Sequence, residues 1–208
     1  MKRVYSSITA SITASILVAV PLFATVAQGQ EADPHAGHTM MMSKKGLDRS
    51  MATYGIQDLP ATTMSGERST LSDQVSNEKI AVLNFIFITC TTICPVQTAT
   101  LAQAQRQLGE QAGDVVMISV SIDPDHDTPA RLREYAALFR AGPQWEFLTG
   151  SASESINIQK AFDAYHGAKM NHRPLTFIKA PGDEQWLRLE GMASAQDIVN
   201  EIQSIAGH

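Results

Sequence analysis

Residues 80–89, Ile-Ala-Val-Leu-Asn-Phe-Ile-Phe-Ile-Thr, are almost continuously apolar and rich in β-branched and aromatic side chains. A run of that kind fits a strand covered on both faces, because a strand with one wet face would alternate. Residues 114–122, Asp-Val-Val-Met-Ile-Ser-Val-Ser-Ile, repeat the pattern. Between these runs the period changes. Val96, Ala99, Leu101, Ala102 and Leu108 fall on helical spacing, Pro95 suits the first helical position, and Gly113 ends the segment. Thr128-Pro129 reads as an N-cap and first residue of a second helix, with Leu132, Tyr135, Ala136 and Phe139 on one face. Residues 145–149 form a short strand pattern, and Ile156, Phe162 and Tyr165 a third helix. Residues 175–179 and 186–189 pair as a hairpin around Pro181-Gly-Asp-Glu184. Ser194, with Asp197 three residues on, opens a last helix whose apolar face is Ile198, Ile202 and Ile205.

Strands and helices alternate first, and a hairpin with a closing helix comes last. That order predicts an α/β domain: a central mixed sheet with helices on both faces. The domain is expected at 51–208. Residues 28–50 are polar, carry His and Met, and have no helical or strand period, so they read as a flexible linker. Residues 1–27 read as an export signal. Lys2 and Arg3 precede an apolar run from Ile8 to Phe23, interrupted by Pro21, and Thr25-Val26-Ala27 offers small residues for cleavage. The run is rich in Ser and Thr and falls short of the about 20 strongly apolar residues that span a bilayer, so cleavage is favoured over retention as an anchor. The expected location is therefore exported and periplasmic, with a tether to the inner membrane as the alternative.

Composition narrows the function classes. The 208 residues are 44% hydrophobic and 18% charged, with a formal net charge of −5. That suits one domain with extensions. No basic stripe is present, which argues against a nucleic-acid partner.

The cysteines carry the chemistry. There are two, Cys90 and Cys94. A lone pair in an exported protein is often a structural disulfide, but a bridge closing so short a loop restrains the unfolded chain little. Both sit where a buried strand hands over to a helix, whose amino end lowers thiol pKa values. Sulfurs four residues apart converge on one side of a turn. They can oxidise to a disulfide or grip one soft ion, Cu(I) or Zn(II). Three intervening residues, rather than two, separate the motif from thioredoxin-type redox pairs.

The stretch Leu83-Asn-Phe-Ile-Phe-Ile-Thr-Cys-Thr-Thr-Ile-Cys-Pro95 resembles the site of the Sco/SenC copper chaperones. So do Ser121-Ile-Asp-Pro-Asp-His-Asp-Thr-Pro129 and His172-Arg-Pro-Leu-Thr-Phe-Ile178. The resemblance runs from about Tyr54 to the carboxyl end. It implies a thioredoxin-like fold, copper as the bound ion, and Cys90, Cys94 and His172 as its ligands. It also implies a role in delivering copper to, or preparing, the binuclear copper centre of cytochrome c oxidase. The implied partners are the oxidase's copper-site subunit or another copper chaperone, with thiol–disulfide reductants. One departure is Thr92, where many members carry Asp; a negative charge beside the thiolates is lost.

Several alternatives stand beside this reading. Cys90 as attacking thiolate and Cys94 as resolving thiol would make a thiol–disulfide oxidoreductase. A peroxidase is disfavoured, because Phe87 occupies the position where a Thr is wanted. His166, the rival of His172 as a ligand, reads rather as a helix C-terminal residue, and Met170, which could offer a thioether, as a residue packing on its loop. Asp123, Asp125, Asp127 and Glu134 superficially match a calcium loop, but Thr128 holds its glycine position, so turn formation and capping explain them better. His35, His38 and Met40-Met41-Met42 have the donors for loose copper capture on a tail. Pro174 is a candidate to lie opposite the cysteines.

Overall fold

The strand at residues 80–86 forms the middle of the sheet because it has no polar face: every one of its seven positions is buried. The computed structural model describes residues 46–75 and 78–207. The expected export signal and the His35/His38/Met40–Met42 tail lie outside the described residues. The described residues form eight strands: β1 (Asp48–Thr53), β2 (Pro60–Thr63), β3 (Arg68–Thr70), β4 (Ile80–Ile86), β5 (Val115–Ser121), β6 (Trp145–Thr149), β7 (Leu175–Lys179) and β8 (Gln185–Glu190). They form one mixed sheet in the order β1-β8-β7-β4-β5-β6-β2-β3. β4, β5 and β6 run parallel, while β7 pairs antiparallel with β4. The helices are α1 (Leu71–Gln74), α2 (Ile93–Leu108), α3 (Pro129–Leu138), α4 (Ala152–Ala161) and α5 (Ala195–Ala206).

Side chains of a strand alternate between faces, and β4 divides its residues accordingly. Ile80, Val82 and Ile86 join a core with Leu101 and Leu108 of α2, Leu132 of α3 and Ile198 of α5. Ala81, Leu83 and Phe85 join the opposite core, with Ile158, Phe162 and Trp186. The α/β, thioredoxin-like expectation describes this architecture.

Local signals held where side chains cap helices. Thr128 accepts the Arg131 N–H with Pro129 as the first helical residue. Ser194 and Asp197 form a reciprocal capping box. Other boundaries moved. β4 stops at Ile86 rather than Thr89, because the chain turns there and the Cys90 N–H donates back to the Phe87 carbonyl at 3.2 Å. α2 begins at Ile93, so Pro95 is its third residue; the α-helix ends at Gly109, which has φ of 56°, and a 3-10 turn continues to Asp114. The third helix stops at Ala161. Its burial rests on Ile158 and Phe162, while Tyr165 lies outside it and exposed.

Four elements lacked a sequence signal. β1 starts at Asp48, before the expected domain boundary, and pairs with β8. Its residues are mostly exposed, as suits an edge strand. β2 and β3 form a short hairpin at the other edge, leading into α1.

Candidate metal centre

Three segments meet at one end of the sheet: the loop after β4, the first turn of α2 and the loop before β7. Cys94 is the second residue of α2 and is fully buried, while Cys90 is half-buried in the loop; both thiols are free. The Cys94 N–H donates to Cys90 Sγ at 3.4 Å, and the Thr92 hydroxyl lies 3.7 Å from the same sulfur. The Phe87 N–H points at Cys94 Sγ from 3.5 Å. The two thiols are therefore unlike. Burial works to raise the Cys90 pKa, but the N–H groups of Cys94 and Thr92 outweigh it and hold the thiol at about 7. Burial pushes the Cys94 thiol up to about 12, with the neighbouring Cys90 thiolate adding to the shift.

His172 arrives from the other side. Its Nε2 lies 3.4 Å from Cys94 Sγ. Its Nδ1 lies 3.1 Å from the Lys169 carbonyl oxygen. A carbonyl only accepts, so Nδ1 carries the proton and Nε2 turns its lone pair toward the sulfur. The ring packs edge-on against Phe87, with centroids 5.2 Å apart. Burial lowers the His172 pKa, which favours the neutral ring that a metal requires.

A polar layer supports both sides. Asp127 has no exposed surface; its carboxylate accepts the Ile88 N–H at 3.2 Å and the Ser121 hydroxyl at 2.7 Å. Burial raises its pKa. Asp123 accepts from Lys169 Nζ at 2.5 Å, His126 Nδ1 at 3.1 Å and the Thr89 hydroxyl at 3.4 Å. Burial opposes its ionisation, but the Lys169 and His126 donors prevail and lower its pKa. Gln97, one turn beyond Cys94, is buried and donates to the Leu175 carbonyl at 2.7 Å.

The sequence-derived candidates divide accordingly. Cys90, Cys94 and His172 share the site. No group of three or more His, Cys, Asp or Glu side chains among the described residues is already gathered for a metal; the formed pair is Cys94–His172, with Cys90 at its side. Glu134 is exposed on α3, away from the Asp turn's hydrogen bonds, and Asp125 is exposed too. His166 does not end a helix, because α4 stops at Ala161 and its C-cap is Phe162. Met170 does not pack on its loop: it is 75% exposed. The Arg173–Pro174 peptide is trans, no cis bond occurring among the described residues. Sequence reading missed Lys169 and Gln97 altogether. It noted Asp123 and Asp127 but gave them only turn and capping roles.

The family model described as SCO1/SenC matches residues 61–207. The SCO1 protein homolog of Bacillus subtilis (strain 168) is 34% identical over 98 residues, covering 47% of this chain and 51% of the relative. The matched stretch thus spans about half that relative's length. Protein SenC of Rhodobacter capsulatus is 29% identical over 166 residues, 80% of this chain and 71% of SenC. Among solved structures, Arabidopsis thaliana ScoI with copper bound superposes with a TM-score of 0.63 at 25% identity, covering 76% of this chain and all (100%) of that one.

Proposed function

The chain belongs to the SCO1/SenC family, and from that premise we propose that it is a copper-binding chaperone acting in cytochrome c oxidase assembly. It delivers copper to, or prepares, the binuclear copper centre. One observation carries the reading: Cys94 Sγ and His172 Nε2, 78 positions apart in sequence, stand 3.4 Å apart. A thiolate and an imidazole on one tetrahedral first-row ion stand about 3.5 Å apart, given metal–sulfur and metal–nitrogen bonds of about 2.3 and 2.0 Å. The pair therefore fits a shared ion without moving far. Soft sulfur with imidazole is a donor set that suits copper.

The ligands have distinct tasks. Cys90 is accessible and close to half ionised at neutral pH, so it meets the incoming ion first. Cys94, whose N–H already holds the Cys90 sulfur at 3.4 Å, loses its thiol proton as the metal binds. His172 supplies the nitrogen that Cu(II) requires. Transfer to a partner, the oxidase's copper-site subunit or another copper carrier, is ligand exchange, and no bond of a substrate is made or broken. The relatives named SenC and ScoI, the latter with copper bound, support this reading. The work is assigned outside the cytoplasm, on the strength of Lys2, Arg3 and the apolar run that follows. No helix among the described residues is long and apolar enough to cross a membrane.

A second reading has its own observation, the unlike surroundings of the two thiols: Cys90 is half-buried and accepts the Cys94 N–H, while Cys94 is fully buried. A nucleophile near pKa 7 beside a buried partner near 12 is the asymmetry a thiol–disulfide reductase uses. The Cys90 thiolate attacks a partner disulfide and releases one thiolate. Cys94 then attacks the mixed disulfide, leaving a Cys90–Cys94 disulfide and a reduced partner.

Copper titration of the reduced protein, followed by visible absorption and EPR, tests the first reading. One equivalent should bind with a sulfur-to-copper charge-transfer band. His172→Ala should lose most Cu(II) binding and that band, yet still reduce a disulfide substrate. If His172→Ala binds Cu(II) like the parent, His172 is not a ligand and the chaperone assignment fails as stated.

A further inference from the structure

His172 stands in a stretch with little regular structure of its own. Between the end of α4 and the start of β7 there is a single 3-10 turn, Lys169–Asn171, and Gly167 adopts a φ of 78°. Such a segment holds a ring in one orientation only if something outside it does the holding. Lys169 touches three parts of the site at once. Its carbonyl accepts from the His172 N–H at 3.3 Å and sits 3.1 Å from Nδ1. Its ammonium reaches Asp123 Oδ2 at 2.5 Å. The same ammonium lies 5.6 Å from the centre of the Phe87 ring, against which His172 packs.

Asp123 is the fixed end of this chain of contacts. Its side chain is 8% exposed, against 35% for Lys169. Its own N–H donates to the Ser121 hydroxyl oxygen at 3.0 Å, at the end of the central strand β5. Its carboxylate also takes the hydroxyl of Thr89, the residue before Cys90. One carboxylate thus faces the cysteine loop and the histidine loop. An ion pair with one partner this deeply placed is screened less than a surface pair.

We infer that Asp123 is a positioning residue for His172, acting through Lys169. It holds the Lys169 main chain where its carbonyl orients the imidazole, and so sets which ring nitrogen faces the cysteines. Outer-layer groups that fix the free nitrogen of a metal-binding histidine are worth about 10- to 100-fold in metal affinity when removed. The inference rests on the copper reading only for what the ring is aimed at; the orientation itself belongs to the metal-free protein.

Lys169→Met and Asp123→Asn in the full chain test it, with Lys169→Arg as the conservative control. The first readout uses no metal: nitrogen-15 chemical shifts of the His172 ring. The parent and Lys169→Arg should show one tautomer, protonated at Nδ1. Lys169→Met and Asp123→Asn should show averaged or broadened ring nitrogens. The second readout is Cu(II) release to a chelator, expected to be about tenfold faster in Lys169→Met. Asp123 is buried, so its variant could fail to fold; Lys169 is partly exposed and keeps the test open. Ring nitrogens in Lys169→Met identical to the parent overturn the inference. A parent that binds no copper, yet shows the ring change in Lys169→Met, removes the chaperone reading and leaves the positioning role standing.

Discussion

The two halves of the site are built differently. The cysteine half sits at the junction of a wholly buried strand and a sixteen-residue helix. Its sulfurs are fixed by backbone N–H groups of Phe87 and Cys94, which cannot move without moving β4 or α2. The histidine half hangs in an irregular loop and is fixed by side chains: Lys169 on Asp123 before it, Gln97 on Leu175 after it. Backbone-held donors keep their place whether or not a metal is present. Side-chain-held donors can let go for a cost of the order of one hydrogen bond, about 1 kcal/mol. A carrier must both grip and release, and this division gives it one firm side and one side that yields.

The contrast breaks first at Asp127. This carboxylate braces the cysteine half by accepting the Ile88 N–H and the Ser121 hydroxyl from a fully buried place. Asp127→Ala leaves both donors unpaired, which should cost at least about 2 kcal/mol, because each stranded buried donor costs about 1–3 kcal/mol. Urea unfolding of the metal-free protein measures it. A loss near zero would mean that the cysteine loop is held by its backbone alone.

The legibility of the chain follows the same division. β4 and β5 could be read from their apolar runs, since burial on both faces leaves few polar interruptions, Asn84 in β4 and Ser119 and Ser121 in β5. Cys90 and Cys94 could be read because a strand running into a helix is a local pattern. The edge strand β1 and the β2–β3 hairpin could not be read: β1 is mostly exposed, and β2 and β3 run for only four and three residues, too short for a period to stand out. His172 was legible only through family resemblance, because nothing near it in sequence says that it faces residue 94. Lys169 looked like any loop lysine, and its partner lies 46 positions away. Asp123 and Asp127 looked like turn residues, and their burial, which makes them structural, is a property of the packed sheet.

The difference between the thiols gives a smaller, pH-dependent effect. Cys90 in the metal-free protein should alkylate with an apparent pKa of about 7, so its rate with iodoacetamide should rise about tenfold between pH 6 and 8. Cys94 should stay unmodified over that range, its thiol lying near 12. The stability linkages have opposite signs. The lowered Cys90 pKa contributes stability that is present above the ordinary thiol value of 9.0 and lost as pH falls through about 7. The raised Cys94 pKa contributes stability that is present below 9.0 and lost as pH rises toward about 12. Mass mapping of the modified cysteines at each pH checks the assignment. Equal labelling of both sulfurs at pH 7 would remove the asymmetry on which the reductase reading stands.

The smallest effect belongs to Gln97, and its size sharpens the comparison. The amide nitrogen serves the Leu175 carbonyl at 2.7 Å, but Oε1 is buried with no hydrogen-bond partner among the described residues. Replacing the amide by a thioether of the same length, Gln97→Met, removes one good bond and one unpaired acceptor together. Each is worth about 1 kcal/mol, so the two nearly cancel and stability should change by less than about 1 kcal/mol. What should change is the tie between α2 and the start of β7, and hence hydrogen exchange in the 169–175 segment, which should quicken while β4 stays protected. Native-state amide exchange reads both regions in one experiment. If Gln97→Met instead cost about 3 kcal/mol, or loosened β4 as much as the loop, the histidine half would be as firmly built as the cysteine half. Release would then have to come from the sulfurs.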